Sequence, residues 1–129
     1  MSAEQQSLYE RLGGEPALRA VIDDFMERVF ADIMIGFFFR DTNKARIKEL
    51  EFQLAAEFLG GPQRYRGRPL AEAHQKHRIM GGQFARRSQI LREVLLAHGA
   101  PTDVSSAWLA HVESLRAEVT TDPNGQCTD

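Results

Sequence analysis

Apolar residues recur three and four positions apart along most of this chain, and that spacing constrains the fold more than any other feature. In the segment EPALRAVIDDFMERVFAD the recurring positions are Leu18, Val21, Ile22, Phe25 and Val29. Residues at this spacing share one face of an α-helix. No segment alternates with the period of two that a half-buried strand would show. The sequence therefore predicts an all-α fold, with one long helix over residues 15–30.

Glycine and proline residues mark the ends of the first helices. A short N-terminal helix through Leu8 and Tyr9 is expected to precede a turn at the paired glycines 13–14. A second long helix follows the run Asp41, Thr42 and Asn43, any one of which can cap its start. The GGP segment at 60–62 ends that helix. We therefore expect a second long helix that begins directly after one of these capping residues and ends at Gly60.

The second half of the chain follows the same pattern after a loop. Residues 61–69 are rich in glycine, proline and arginine, which favours an ordered loop, and a short helix should then carry His74. A third long helix is predicted after Gly81 and Gly82, where the glycines end the preceding helix, and it closes at Gly99. A fourth helix is capped by Thr102 or Asp103. The residues expected on its buried face are Val104, Trp108, Val112 and Leu115.

The composition limits the classes of protein that the chain can belong to. Its 129 residues, 43% of them hydrophobic, suit one domain over 1–129, with an ordered core at about 7–120 and a flexible tail at 121–129. Lys and Arg total 16 against 18 Asp and Glu, without long runs of one sign, so neither a nucleic-acid nor a membrane-surface binder is indicated. The lone Cys127 gives no disulfide framework and fits a reducing compartment. With no signal-peptide pattern and no membrane-spanning run, a cytoplasmic location is expected.

Three features of the sequence can carry chemistry. His74 and His77 share a helical face, so they can hold one metal ion together or leave the task to one of them, with a structural role as the alternative. A zinc module is disfavoured because the other histidines lie in different helices. The run Phe37, Phe38 and Phe39 fits either a core or the wall of a cofactor site. Glu51 lies beside the apolar stripe of the second helix, where it either reaches solvent or faces inward and needs a partner.

The order of several motifs resembles the truncated haemoglobins, the short bacterial and protist globins with a two-over-two helix sandwich, and their group I branch in particular. The resemblance covers about residues 7–120. The motifs that carry it are LYERLGGEPALRAVIDDF, the phenylalanine run before DTNKARIK, FLGGPQRYRGRPLAEAHQ, and HGAP before the last helix. The resemblance implies a truncated globin fold with haem b as the cofactor.

The same resemblance assigns roles to individual residues. His74 matches the proximal histidine that ligates the haem iron, so it is the expected metal ligand. Phe39 matches the phenylalanine that packs on the haem face, and Tyr65 a tyrosine near the haem edge. Thr42, His77 and Arg78 are expected near the haem propionates. Further residues expected to line the haem site are Phe25, Met26, Phe38, Ile47, Glu51, Leu70, Phe84, Arg87 and Val112.

The departures from the group I pattern bear on the mechanism. Met26 stands where the family usually has a tyrosine that donates a hydrogen bond to bound oxygen, and a thioether cannot donate. Glu51 stands where a glutamine is frequent, and Arg87 takes a place that is usually apolar. We expect Arg87 to pair with Glu51 at the distal pocket, since either charge buried alone would cost several kcal/mol. Arg86 is expected to turn to solvent.

The resemblance implies a haem protein that binds a small diatomic gas (O2, NO or CO), with oxygen transport as the familiar role. Without the distal hydroxyl, NO dioxygenase-like or peroxidase-like chemistry is a further option, with Glu51 and Arg87 as the candidate catalytic residues. A globin-fold sensory or protein-interaction module with lost or altered haem binding is the alternative. The expected partners are the gas and an unidentified reductant, with neither nucleic acid nor membrane, and the chain is expected to be a monomer or a weak homodimer.

Overall fold

The computed structural model describes residues 6–70 and 79–120, and helices make up most of both stretches. No strand occurs within them, which confirms the predicted all-α class. The elements are α1 (Leu8–Leu12), α2 (Gly14–Ala31), a 3-10 helix (Gly36–Phe39), α3 (Lys44–Leu59), α4 (Gly81–Ala97), α5 (Thr102–Ser114) and α6 (Arg116–Val119). None of the helices in these stretches is long and apolar enough to cross a membrane.

Two helix pairs build the core. α2 packs against α3 in one pair, α4 packs against α5 in the other, and α2 also packs on α4. This is the two-over-two arrangement of helices that the resemblance implied. The apolar stripe of α2 is buried as expected, with Leu18, Val21, Ile22, Phe25 and Val29 each at most 3% exposed. Burial of this stripe against both neighbours makes α2 the centre of the fold.

The ends of α3 follow the sequence signals closely. Asn43 is the residue that caps the helix, because its side-chain oxygen accepts a hydrogen bond from the Arg46 backbone N–H at 3.0 Å. Gly60 ends the helix in the left-handed region, at φ 91°, where a residue with a Cβ is disfavoured. Gly61 then passes so close to Tyr9 that an added Cβ would lie 2.7 Å from the ring. These contacts fix where the loop 61–69 leaves α3.

The starts of α4 and α5 differ from the prediction by a residue or two. The glycines that were expected to precede α4 form its first turn, since the helix begins at Gly81 itself. The Gln83 side chain accepts a hydrogen bond from the Met80 N–H at 2.9 Å and so closes that turn. α5 begins at Thr102 directly after Pro101, so neither Thr102 nor Asp103 is the capping residue. Asp103 instead pairs with Arg11 at 2.9 Å.

Candidate functional site

A cleft of about 350 Å³ opens between the two helix pairs. Its wall is mainly apolar and comes from α2, the 3-10 helix, α3, the loop 61–69, α4 and α5, a composition typical of small-molecule and cofactor sites. The predicted site residues that line it are Phe38, Phe39, Thr42, Ile47, Glu51, Tyr65, Leu70, Phe84, Arg87 and Val112. Residues from distant parts of the sequence therefore converge on one cavity.

Two predicted site residues lie elsewhere. Phe25 and Met26 are each 1% exposed and belong to the core instead of the cleft wall. Phe25 lies beneath a wall residue, since the Arg87 guanidinium carbon is 4.9 Å from its ring centroid. Phe25 thus lies behind the wall residue Arg87, and its contact with haem stays a prediction. His74, His77 and Arg78 lie outside the described residues.

The phenylalanine run takes the irregular backbone that three adjacent aromatic residues require. Gly36 to Phe39 form the 3-10 helix, in which side chains three positions apart eclipse each other. Phe38 and Phe39 line the cleft, while Phe37 is 48% exposed. The Phe39 ring packs edge-on against Phe30, with centroids 5.3 Å apart. The run therefore divides between a cleft wall and an exposed surface.

Glu51 and Arg87 form an ion pair on the cleft wall. The Arg87 Nη2 atom donates to Oε2 of Glu51 at 2.9 Å, across the gap between α3 and α4. Each side chain is about one quarter exposed, at 25% and 24%. The pair that the sequence predicted is thus present, and it puts two opposite charges into a mainly apolar cavity. A pair in this setting experiences a stronger mutual attraction than one in bulk water.

Tyr65 lies in the loop 61–69, and a hydrogen bond within that loop holds its side chain. Its hydroxyl donates a hydrogen bond to the Arg68 carbonyl oxygen at 2.7 Å. Burial raises the pKa of the Tyr65 hydroxyl, and the negative charge of Glu51 raises it further. Tyr65 therefore stays protonated near neutral pH and keeps its role as a hydrogen-bond donor.

His111 is a wall residue that the sequence did not single out as a site residue. Its ring stacks on Phe58, with centroids 3.9 Å apart and an interplanar angle of 7°. Burial lowers the pKa of His111, so the imidazole is neutral at pH 7. The other wall residues that were not predicted are Val29, Ile35, Leu50, Leu54, Ala55, Phe58, Arg68, Ile79, Gln83, Trp108, Leu115 and Val119.

The apolar periodicity of the sequence already indicated some of these wall residues. Ile47, Leu50, Leu54 and Phe58 form the apolar stripe of α3, and all four line the cleft. Apolar residues that line a cavity have the same spacing along a helix as apolar residues that face a packed core. Arg86, expected to turn to solvent, is 38% exposed and also pairs with the 7% exposed Asp32 at 2.8 Å. No cluster of three or more potential metal-ligating side chains occurs among residues 6–70 and 79–120.

Comparison with known proteins gives consistent results. A family profile described as "Bacterial-like globin" matches residues 7–121. The Group 1 truncated hemoglobin GlbN of Mycolicibacterium paratuberculosis is 36% identical over 126 residues, which is 98% of this chain and 93% of that protein.

Solved structures agree with the family match. The truncated hemoglobin of Tetrahymena pyriformis in its Fe(III) form has a TM-score of 0.83 and 28% identity, over 89% of this chain and 98% of its own. The 2/2 hemoglobin of Synechococcus sp. PCC 7002, solved in the cyanomet state with covalently attached heme, has a TM-score of 0.81 and 26% identity, over 88% and 95%.

Proposed function

This chain belongs to the bacterial-like globin family, in its group I truncated branch, and we propose that it binds haem b in the cleft and a small diatomic gas beside it. The observation that carries the proposal is the cleft itself, an apolar cavity of about 350 Å³ between the two helix pairs. Truncated globins generally bind haem and gaseous ligands, and this cavity lies where the two helix pairs meet. O2, NO and CO are the gases that we propose.

The wall residues suit a porphyrin, which is a broad apolar ring with two carboxylate groups at one edge. Phe38, Phe39 and Phe84 supply aromatic surface for the ring. Thr42 and Arg68 also line the cleft and offer a hydroxyl and a cation for the carboxylates. His111 is neutral and half-buried, so it adds polarisable surface and no charge. The cleft thus combines apolar area with polar side chains, as haem requires.

We propose His74 as the residue that holds the iron, on the strength of the EAHQ motif. When bound, the haem would supply an iron centre to which a neutral imidazole and a small gas can coordinate. The chain's own contribution is to exclude water and to provide or withhold hydrogen-bond donors. Met26 is buried in the core and has no donor to offer, so O2 in the cleft receives no help from that position.

Absorption spectroscopy tests the proposal directly. We expect the protein reconstituted with haem to show a Soret band in the ferric and ferrous states and a shifted band with carbon monoxide. His74→Ala should remove or strongly alter these bands, whereas His77→Ala, three residues away, should retain the band of an axially ligated haem. A wild-type protein that takes up no haem would overturn the proposal and favour a globin-fold interaction module. Equal spectra for His74→Ala and wild type would exclude His74 as the ligand.

A further inference from the structure

The Glu51–Arg87 pair is the feature of the cleft that gas binding alone does not require. The apolar ring of haem needs no ion pair beside it, and a buried ion pair is seldom more stabilising than well-packed apolar side chains of similar volume. Both side chains line the cavity and keep about a quarter of their surface exposed. Both side chains thus stay partly accessible on the cleft wall, whereas a pair that only bridges α3 and α4 needs no such access.

The hydrogen bonds of the pair leave capacity for a third group. A guanidinium has five N–H donors and a carboxylate has two acceptor oxygens. Within residues 6–70 and 79–120, the hydrogen bond between the two side chains joins only Nη2 of Arg87 to Oε2 of Glu51. The Phe25 ring supports the guanidinium from one face. A small ligand in the cleft can therefore meet a fixed cation that still has donors to offer.

We propose that Arg87 makes this wall a subsite for small inorganic anions, with Glu51 holding the guanidinium in place and moderating its charge. The proposal rests on the proposed function, because the absorption of bound haem is the signal that reports anion binding. Arg87 attracts the anion and donates a hydrogen bond to it. The Glu51 carboxylate repels the same anion. The two partners of one ion pair thus act on anion affinity in opposite directions, although both contribute alike to the bridge between helices.

Azide is the probe, titrated into ferric haem-loaded protein and followed by absorption, with carbon monoxide on the ferrous protein as the neutral comparison. Arg87→Met should weaken azide binding at least about tenfold, since a charge-assisted hydrogen bond and a cation are lost. Glu51→Gln keeps an acceptor oxygen for Arg87 but removes the negative charge, so azide should bind at least about threefold more tightly. Carbon monoxide affinity should change by less than about threefold in both variants.

Glu49→Gln is the matched control, because it removes the same charge from α3 at a residue that pairs with Arg19 and does not line the cleft. Its azide affinity should equal that of the wild type. Azide affinities that change in the same direction in Arg87→Met and Glu51→Gln, or carbon monoxide affinities that change as much as those of azide, would overturn the proposal and leave the pair a structural bridge. A wild-type protein without a Soret band would overturn the proposed function and this subsite together, so the two failures are distinguishable.

Discussion

The close contact between Gly61 and Tyr9 gives a stability prediction with a matched control. A Cβ added at Gly61 would lie 2.7 and 2.8 Å from two carbons of the Tyr9 ring, closer than carbon atoms pack. The ring is itself only 8% exposed and belongs to the core, so it has little room to retreat. Overpacking of this kind costs about 1–3 kcal/mol. Gly61→Ala should therefore lower the free energy of unfolding by about that amount.

Gly82 is the control, because nothing lies within 4 Å of a Cβ added there. It is an exposed residue in the first turn of α4, where alanine is favoured over glycine by about 0.5–1 kcal/mol. Gly82→Ala should thus leave the free energy of unfolding unchanged or raise it. The two variants make the same chemical change with opposite expected signs.

Urea unfolding of the haem-free protein, followed by circular dichroism at 222 nm, measures both variants. The midpoint should fall for Gly61→Ala and should not fall for Gly82→Ala, with the slope unchanged in each. Since Gly61 begins the loop that carries Tyr65 to the cleft, the first variant should also weaken haem retention. A Gly61→Ala protein as stable as the wild type would refute the reasoning, because it would show that Tyr9 moves aside freely.

Two further predictions concern helix ends and charges. Asn43→Ala removes the side-chain oxygen that caps α3 at the Arg46 N–H, so the free energy of unfolding should fall by about 1 kcal/mol, again measured in urea. The hydrogen bond from Arg28, and then that with His98, lowers the pKa of Asp24 below its ordinary value of 3.8. Because the folded pKa is lower, this carboxylate stabilises the fold above the unfolded pKa, and the stabilisation is lost as pH falls through the folded pKa. Asp24→Asn should flatten the acid limb of a stability–pH profile; an unchanged limb would show that the contact contributes nothing.

Helix positions could be predicted from the sequence because their signals are local. The stripe of α2, the Asn43 cap and the Gly60 stop each depend on residues within one or two turns of the chain. The first turn of α4 was missed by two residues, because the side chain of Gln83 closes it and compensates for the glycines. A local rule that treats paired glycines as a stop cannot detect that compensation.

Which apolar stripe faces a cavity depends instead on how distant helices pack. The α3 stripe from Ile47 to Phe58 has the spacing of a core stripe, yet it forms one wall of the cleft. His111 and Trp108 reach the same cavity from α5, at the other end of the sequence. Conversely, Met26 lies in the core although the resemblance implied a place in the haem site. Periodicity identifies buried faces, but only the tertiary arrangement separates a packed face from a cavity wall.

The Glu51–Arg87 pair was predictable because two improbable residues explained each other. Either charge alone in this cleft would cost several kcal/mol, so the presence of both on facing helices indicated a pair. The same ion pair supplies the hydrogen-bond donor of the proposed anion subsite. Position 26 on α2 has a methionine, which cannot donate, while Arg87 on α4 brings a guanidinium to the cleft wall. A donor that is also a cation favours anions over neutral gases, so the two departures from the family pattern together change which ligands this cleft should hold most firmly.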